Sequence, residues 1–246
     1  MQGTVEVVDS VADRFAEVVG QALARGTAAG SAGDAGFSLF LSGGPTARAA
    51  YERLAQVTGP GASVEGSVTT PSVDWTRVDA CWGDERCVPP DDEDANQRLC
   101  REALLDRVGP LRSVHPMYTG GDPAVAAAEY QQELTGLDAY DLIHLGMGPD
   151  GHCASLFAGS APLDAPDDVL VLPNTDPNEA NPHQRITLTF PAIARARLVV
   201  FTVVGASKRA AFERVRNGED LPAGRVRAHE VLWLVDPVAA GDGAGA

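Results

Sequence analysis

The sequence predicts an α/β fold, a Rossmann-like and mostly parallel sheet with helices on both faces. Three observations carry this. Strand-like and helical runs alternate along the 246 residues. Most of the strand-like runs are apolar at every position rather than at alternate ones, as strands covered on both faces are. Glycine and polar residues gather directly after those runs, where open parallel sheets bind their ligands.

The elements follow in order. Ser10 is placed to cap a helix, with Asp13 three residues on. Val11, Phe15, Val18, Val19, Ala22 and Leu23 then recur at helical spacing and stop near Gly26. Residues 30–36 read as a loop. FSLFLSGG (37–44) is a buried strand ending in glycines, and Pro45 suits the first turn of the helix that carries Tyr51 and Leu54. Residues 58–72, rich in Gly, Ser, Thr and Pro, read as a second loop. VDACWGDER (78–86) is a strand running into polar residues. NQRLCREALLDRV (96–108) and AVAAAEYQQEL (124–134) are helical. YDLIHLGMG (140–148), VLVLP (169–173), RITLTF (185–190) and RLVVFTVVG (197–205) are strands. ASKRAAFERV (206–215) is a helix and EVLWLVD (230–236) the last strand. No repeat or linker divides the chain, so one domain is expected over 1–238, with a disordered tail at 239–246.

Composition narrows the function. A net charge of −15 argues against a general nucleic-acid binder, which needs a basic face. An anionic small ligand remains possible if positive charge is concentrated locally. Of the 19 basic residues only Lys208 is a lysine. The four cysteines, Cys81, Cys87, Cys100 and Cys153, show neither C-x-x-C nor a ligand-like pairing with histidine, so free thiols and a reducing cytoplasm are expected. No run approaches a membrane span, and no membrane partner is expected.

Gly146, Gly148 and Gly151 spell G-x-G-x-x-G at the end of a strand. A dinucleotide site would need a helix opening there and an acid at the end of the next strand. Here Gly159, Pro162 and Pro166 interrupt any helix, VLVLP ends without an acid, and Asp150 would repel a pyrophosphate. The alternative is that the glycines bring the backbone close to a ligand and deliver Asp150 and His152 into a cleft as an acid–base pair. A metal held by this loop with Asp84 or Glu85 stays open, as does a weaker reading of Ser155 as nucleophile without a G-x-S-x-G elbow.

The other strand ends add candidates. LSGGPT (41–46) joins strand, glycine turn and helix start, so backbone N–H groups with Ser42 and Thr46 can hold phosphate. WGDER (82–86) sets Asp84, Glu85 and Arg86 after a strand, where Arg86 suits an anion. GASK (205–208) places the one lysine in a first helical turn, against the macrodipole, a penalty that a dianionic ligand reverses. Arg185 is a second candidate phosphate cation.

The segments LSGGPT, WGDERCVPPDDEDANQRLCREALLDRV, GMGPDGHCASLF, RITLTFPAI and GASKRAAF, in this order, resemble the 6-phosphogluconolactonases within the wider glucosamine-6-phosphate isomerase/deaminase-like superfamily. The resemblance implies hydrolysis of 6-phospho-D-glucono-1,5-lactone to 6-phosphogluconate, the second step of the oxidative pentose phosphate pathway, with no required cofactor and no metal. It implies His152 as general base, with Asp150 and Asp84 beside it. It implies Ser42, Gly43, Gly44, Thr46, Arg86, Asn96, Gly148, Arg185 and Lys208 around a sugar phosphate lactone. Ala95 replaces the serine usual before Asn96, and Ala158 stands where proline often follows L-F. A cytoplasmic monomer or weak homodimer is expected. The deaminase branch shares the SGG turn, D-G-H and the lysine, and Asp84 could serve it as a base. WGDER and HCASLF in this chain depart from that branch. A catalytically inactive sugar-phosphate sensor is the remaining alternative.

Overall fold

Seven parallel strands form the central sheet of the computed structural model, which describes residues 1–28, 36–60, 72–137 and 140–241. In chain order the elements begin with β1 (Thr4–Val7), α1 (Val11–Thr27), β2 (Phe37–Leu41) and α2 (Pro45–Thr58). A short 3-10 turn then leads into β3 (Val78–Trp82) and β4 (Asp84–Arg86). The helix α3 (Asn96–Cys100) widens into a π turn at Arg101–Leu105 and closes as α4 (Asp106–Val108). Next come β5 (Ser113–Val114), α5 (Pro123–Thr135), β6 (Tyr140–Gly146), β7 (Val171–Asn174), β8 (Arg185–Leu188) and α6 (Phe190–Ile193). The chain continues with β9 (Ala196–Val203), α7 (Ala206–Arg216), α8 (Pro222–Arg225), β10 (Glu230–Val235) and α9 (Pro237–Ala240).

The sheet runs β1-β10-β9-β6-β2-β3-β5. The strand order reverses between β2 and β6, which is where a ligand crevice opens beyond the carboxyl ends of the strands. β2 and β3 are buried at every position and β10 at all but its first, the pattern of a sheet covered on both faces. The ring of Trp233 on β10 lies flat on Phe201 of β9, centroids 3.8 Å apart, tying neighbouring strands together.

Local signals account for the helices. Ser10 Oγ accepts the Asp13 N–H at the start of α1, whose buried face is Val11, Phe15, Ala16, Val19 and Leu23, while Val18 is half-buried. Asp122 caps α5 the same way, accepting from Ala124 and Val125. The segment 96–108 is helical as its periodicity implies, although the π turn inside it has no counterpart in that periodicity.

Three differences from the sequence reading matter. VDACWGDER is two strands in two sheets: Gly83 breaks it, and β4 leaves to pair antiparallel with β8, which pairs antiparallel with β7. VLVLP and RITLTF are therefore not central strands; with β4 they build a three-stranded sheet beside the cavity. β1 and β5 were not anticipated, being edge pairings of four and two residues. Finally, the tail expected to be disordered from 239 includes ordered residues: Ala239 is buried in α9, capped by Asp236. Residues 242–246 lie outside the described residues, as do 30–35 of the first expected loop and 61–71 of the second.

Candidate active site

A cavity of about 290 Å³ opens at the carboxyl ends of β2, β3, β6 and β9. Its wall includes Ser42, Gly43, Gly44, Thr46, Asp84, Arg86, Asn96, Gly148, His152, Arg185 and Lys208. Every residue that the resemblance places around the substrate is in this wall, as are His152 and Asp84; Asp150 stands behind His152, and Glu85 and Ser155 lie outside the wall. Residues spread over more than 160 positions of the chain thus share one crevice because four strand ends meet there.

The loop after β6 is built around one pair. Asp150 Oδ1 lies 2.6 Å from His152 Nδ1 and also accepts the His152 backbone N–H at 3.3 Å. A carboxylate acceptor on Nδ1 places the proton of the neutral ring there and leaves Nε2 as the basic nitrogen. Burial raises the Asp150 carboxyl, and the hydrogen bond and charge of His152 outweigh this and leave it below its usual value. The His152 ring packs edge-on against Phe157, centroids 4.9 Å apart. A Cβ at Gly148 would overlap both the His152 ring and the Asp150 carboxylate, so the glycine is required by this pair and not by a pyrophosphate. The loop's own amides are spent: Gly148 N–H bonds His152 O and Gly151 N–H bonds Gly148 O. Ala154 at the cavity wall has φ 48°, a left-handed backbone rare for residues with a Cβ.

Two helices begin at the opposite side. α2 and α7 start from Gly44 and Gly205, at φ 93° and 92°, and neither has a side-chain cap. Both therefore present first-turn N–H groups and the positive end of the helix dipole to an anion. Lys208 rises from the first turn of α7. Burial lowers its pKa, with Asp150 opposing. Its half-buried ammonium has no hydrogen bond or ion pair among the described residues, so it is free to pair with a phosphate.

The small sheet supplies the remaining wall. Arg185 is buried; desolvation lowers its pKa and the charge of Asp84 resists. Arg86 donates to the carbonyl of Asp94, and its buried Nε has no partner. Asp84 is engaged on both sides, Oδ2 accepting from Ser155 Oγ at 2.6 Å and Oδ1 facing Asn96 Nδ2 at 3.5 Å. Ser155 is fully buried in that bond, which removes it as a nucleophile. Asn96 donates to the Asp84 carbonyl, and its Oδ1 packs on Gly43 so closely that no Cβ fits there.

Glu85 turns away from the cavity. Its carboxylate accepts the N–H groups of Arg86, Asn96 and Gln97, each at 2.7 Å, and so caps α3 in place of the hydroxyl that Ala95 lacks. Burial pushes its pKa up to about 7 against those bonds. Of the two acids left open by sequence, Asp84 faces the cavity. No group of three or more His, Cys, Asp or Glu able to hold a metal occurs among the described residues.

Sequence reasoning missed Thr202, Asn181, Met147 and Ala154 in the wall. Thr202 sits inside a strand read as core; a polar residue near the end of an apolar parallel strand was the available signal.

The family model for glucosamine-6-phosphate isomerases/6-phosphogluconolactonase matches residues 4–233. The chain belongs to this family. A 6-phosphogluconolactonase of Nostoc sp. is 37% identical over 218 residues, covering 82% of this chain and 83% of that protein. The crystal structure of 6-phosphogluconolactonase from Thermotoga maritima superposes with a TM-score of 0.78 at 27% identity, covering 96% of this chain and 100% of that one. A monomeric glucosamine-6-phosphate deaminase reaches 0.75 at 16% identity, covering 98% and 99%. Both branches of the glucosamine-6-phosphate isomerase/6-phosphogluconolactonase family therefore share this architecture, and the side chains in the cavity must separate them. No helix of the described residues is long and apolar enough to cross a membrane.

Proposed function

We propose that the protein hydrolyses 6-phospho-D-glucono-1,5-lactone to 6-phosphogluconate, as a cytoplasmic monomer or weak homodimer. The observation that carries this is His152, bound through Nδ1 by Asp150, with Nε2 left as base in a cavity that also holds Arg86, Arg185 and Lys208. The names of the relatives point the same way.

In this reading Lys208, Arg185 and the backbone at 43–44 hold the phosphate and fix the lactone carbon near His152. His152 Nε2 takes a proton from water as the water oxygen bonds to the carbonyl carbon. Arg86 faces the oxyanion, because the N–H groups of Gly148 and Gly151 are already bonded within their loop. The tetrahedral intermediate collapses, the bond to the ring oxygen breaks, and His152 returns the proton to that oxygen. Asp150 holds the ring and stabilises its charged form. Asp84, tied to Ser155 and Asn96, shapes the wall; those bonds also weaken the deaminase reading, which needs a carboxylate free to take a carbon-bound proton.

The test is turnover of lactone generated in situ from glucose-6-phosphate by its dehydrogenase, followed through NADPH from a downstream 6-phosphogluconate dehydrogenase. Acceleration above the enzyme-free rate, equal with and without EDTA, is the expected result. No acceleration, with ammonia released from glucosamine-6-phosphate, would replace this reading by the deaminase one.

A further inference from the structure

Beneath the cavity runs a buried hydrogen-bond chain that the reaction above does not use. Ser42 N–H donates to Tyr51 Oη at 2.7 Å, Tyr51 Oη lies 2.7 Å from His144 Nδ1, and His144 Nε2 lies 2.9 Å from Thr202 Oγ1. Tyr51 and His144 are fully buried, and Thr202 ends the chain in the cavity wall.

Counting protons fixes the direction of the chain. The Tyr51 oxygen already accepts from Ser42, and its one proton has His144 Nδ1 as its acceptor. Were Nδ1 protonated instead, the tyrosine proton would be buried with no partner, a state that folded proteins avoid. Nδ1 is therefore the acceptor and Nε2 carries the ring proton. Burial holds the ring neutral, its pKa pulled down to about 3, so no second proton disturbs this order. Nε2–H then donates to Thr202 Oγ1, and the threonine proton is left with no acceptor among the described residues.

We propose that Thr202 is a ligand-binding residue whose hydroxyl, positioned by Tyr51 and His144, donates its free proton to an oxygen of the substrate phosphate. The phosphate is chosen for two reasons. An ionised phosphate oxygen is acceptor-only, matching a hydroxyl whose proton is free. Thr202 also lies on β9 three residues before Gly205, at the turn that opens α7 and leads to Lys208. The identity of the ligand rests on the lactonase reading; the direction of the chain does not.

Two measurements decide it. In the ¹⁵N–¹H spectrum of histidine-labelled wild-type protein, the His144 ring should show the Nε2–H tautomer and no titration between pH 5 and 8. An Nδ1–H tautomer, or a ring that titrates in that range, overturns the proposal whether or not the protein is active. In lactone kinetics, Thr202→Val should raise KM on the order of 10-fold with kcat held within about twofold, the loss of a hydrogen bond to a charged group. Thr202→Ser should restore KM, and Tyr51→Phe should raise KM with no further rise in the Tyr51→Phe, Thr202→Val double variant. A Thr202→Val enzyme with unchanged KM, or one that loses kcat instead, overturns the phosphate assignment. A wild-type protein that hydrolyses no lactone defeats the proposed function and leaves the ring spectrum to decide the donor.

Discussion

Three histidine–carboxylate pairs occur among the described residues; two are made through Nδ1, and in the proposed reaction only one of these two is placed for chemistry. His152 Nδ1 meets Asp150 at 2.6 Å; His115 Nδ1 meets Glu133 at 3.0 Å. Both rings are partly exposed, with side-chain exposures of 19% and 24%. They differ at the second nitrogen. His152 Nε2 is left to the cavity, whereas His115 Nε2 lies 2.8 Å from Ser113 Oγ, whose proton goes to Asp79. The Ser113–His115–Glu133 arrangement even mimics a nucleophile, base and orienting acid. It sits at the β5 edge of the sheet, at its far end from β1, among Asp79, Glu133 and Arg112. A histidine–carboxylate pair is therefore common structural material. In the proposed reaction, what would make one catalytic is a free second nitrogen beside a place where a ligand is anchored.

The largest expected effect tests the first half of that statement. His152→Ala should lower kcat on the order of 10²–10⁴-fold, the usual contribution of a general base, with the fold intact by thermal melting. A folded variant with near-normal turnover would remove His152 from the chemistry. Next in size is the anchor. Lys208→Ala should raise KM for the phosphorylated lactone about 10- to 100-fold, as loss of a bond to a charged group does, and leave unphosphorylated gluconolactone nearly unaffected. Equal effects on both substrates would mean that Lys208 does not read the phosphate.

Lys208 also sharpens the comparison through pH. Burial lowers its pKa below the usual 10.5, and only its protonated form attracts a dianion. Affinity for 6-phosphogluconate should therefore be full while Lys208 is protonated and fall as pH rises through a value below 10.5. Titration calorimetry across the alkaline range measures this, and Lys208→Arg should abolish the fall, since a guanidinium keeps its proton. An unchanged alkaline fall in the arginine variant would assign it to another group.

Most of this was legible in the sequence, for a physical reason. Strands buried on both faces are apolar throughout, and the crevice at their ends must be lined by the residues that follow them. SGG, GDER, GPDGH and GASK, as strand ends, therefore mark the wall in the sequence itself. The illegible parts depend on contacts between distant segments. Nothing local tells that Gly83 diverts β4 into a second sheet, that Glu85 caps α3 across eleven residues, or that Thr202 is joined through His144 to Tyr51. The same is true of the four histidines other than His152: their residue type is visible, but whether the second nitrogen is free is a property of the fold.

The smallest expected effect closes the comparison from the other side. Ser113→Ala removes the hydroxyl beside His115 Nε2 and so gives that ring the same free nitrogen that His152 has. If a histidine, a carboxylate and an open nitrogen were enough, Ser113→Ala in a His152→Ala background would recover some lactone hydrolysis. The expected change is none, within about twofold of the His152→Ala rate, because Lys208 and the start of α2 line the cavity and His115 does not, so neither holds a phosphate beside His115 to raise the local concentration of the lactone. Measurable recovery that depends on His115 would show that an oriented imidazole suffices on this scaffold, and that the anchoring residues at α2 and α7 set affinity alone.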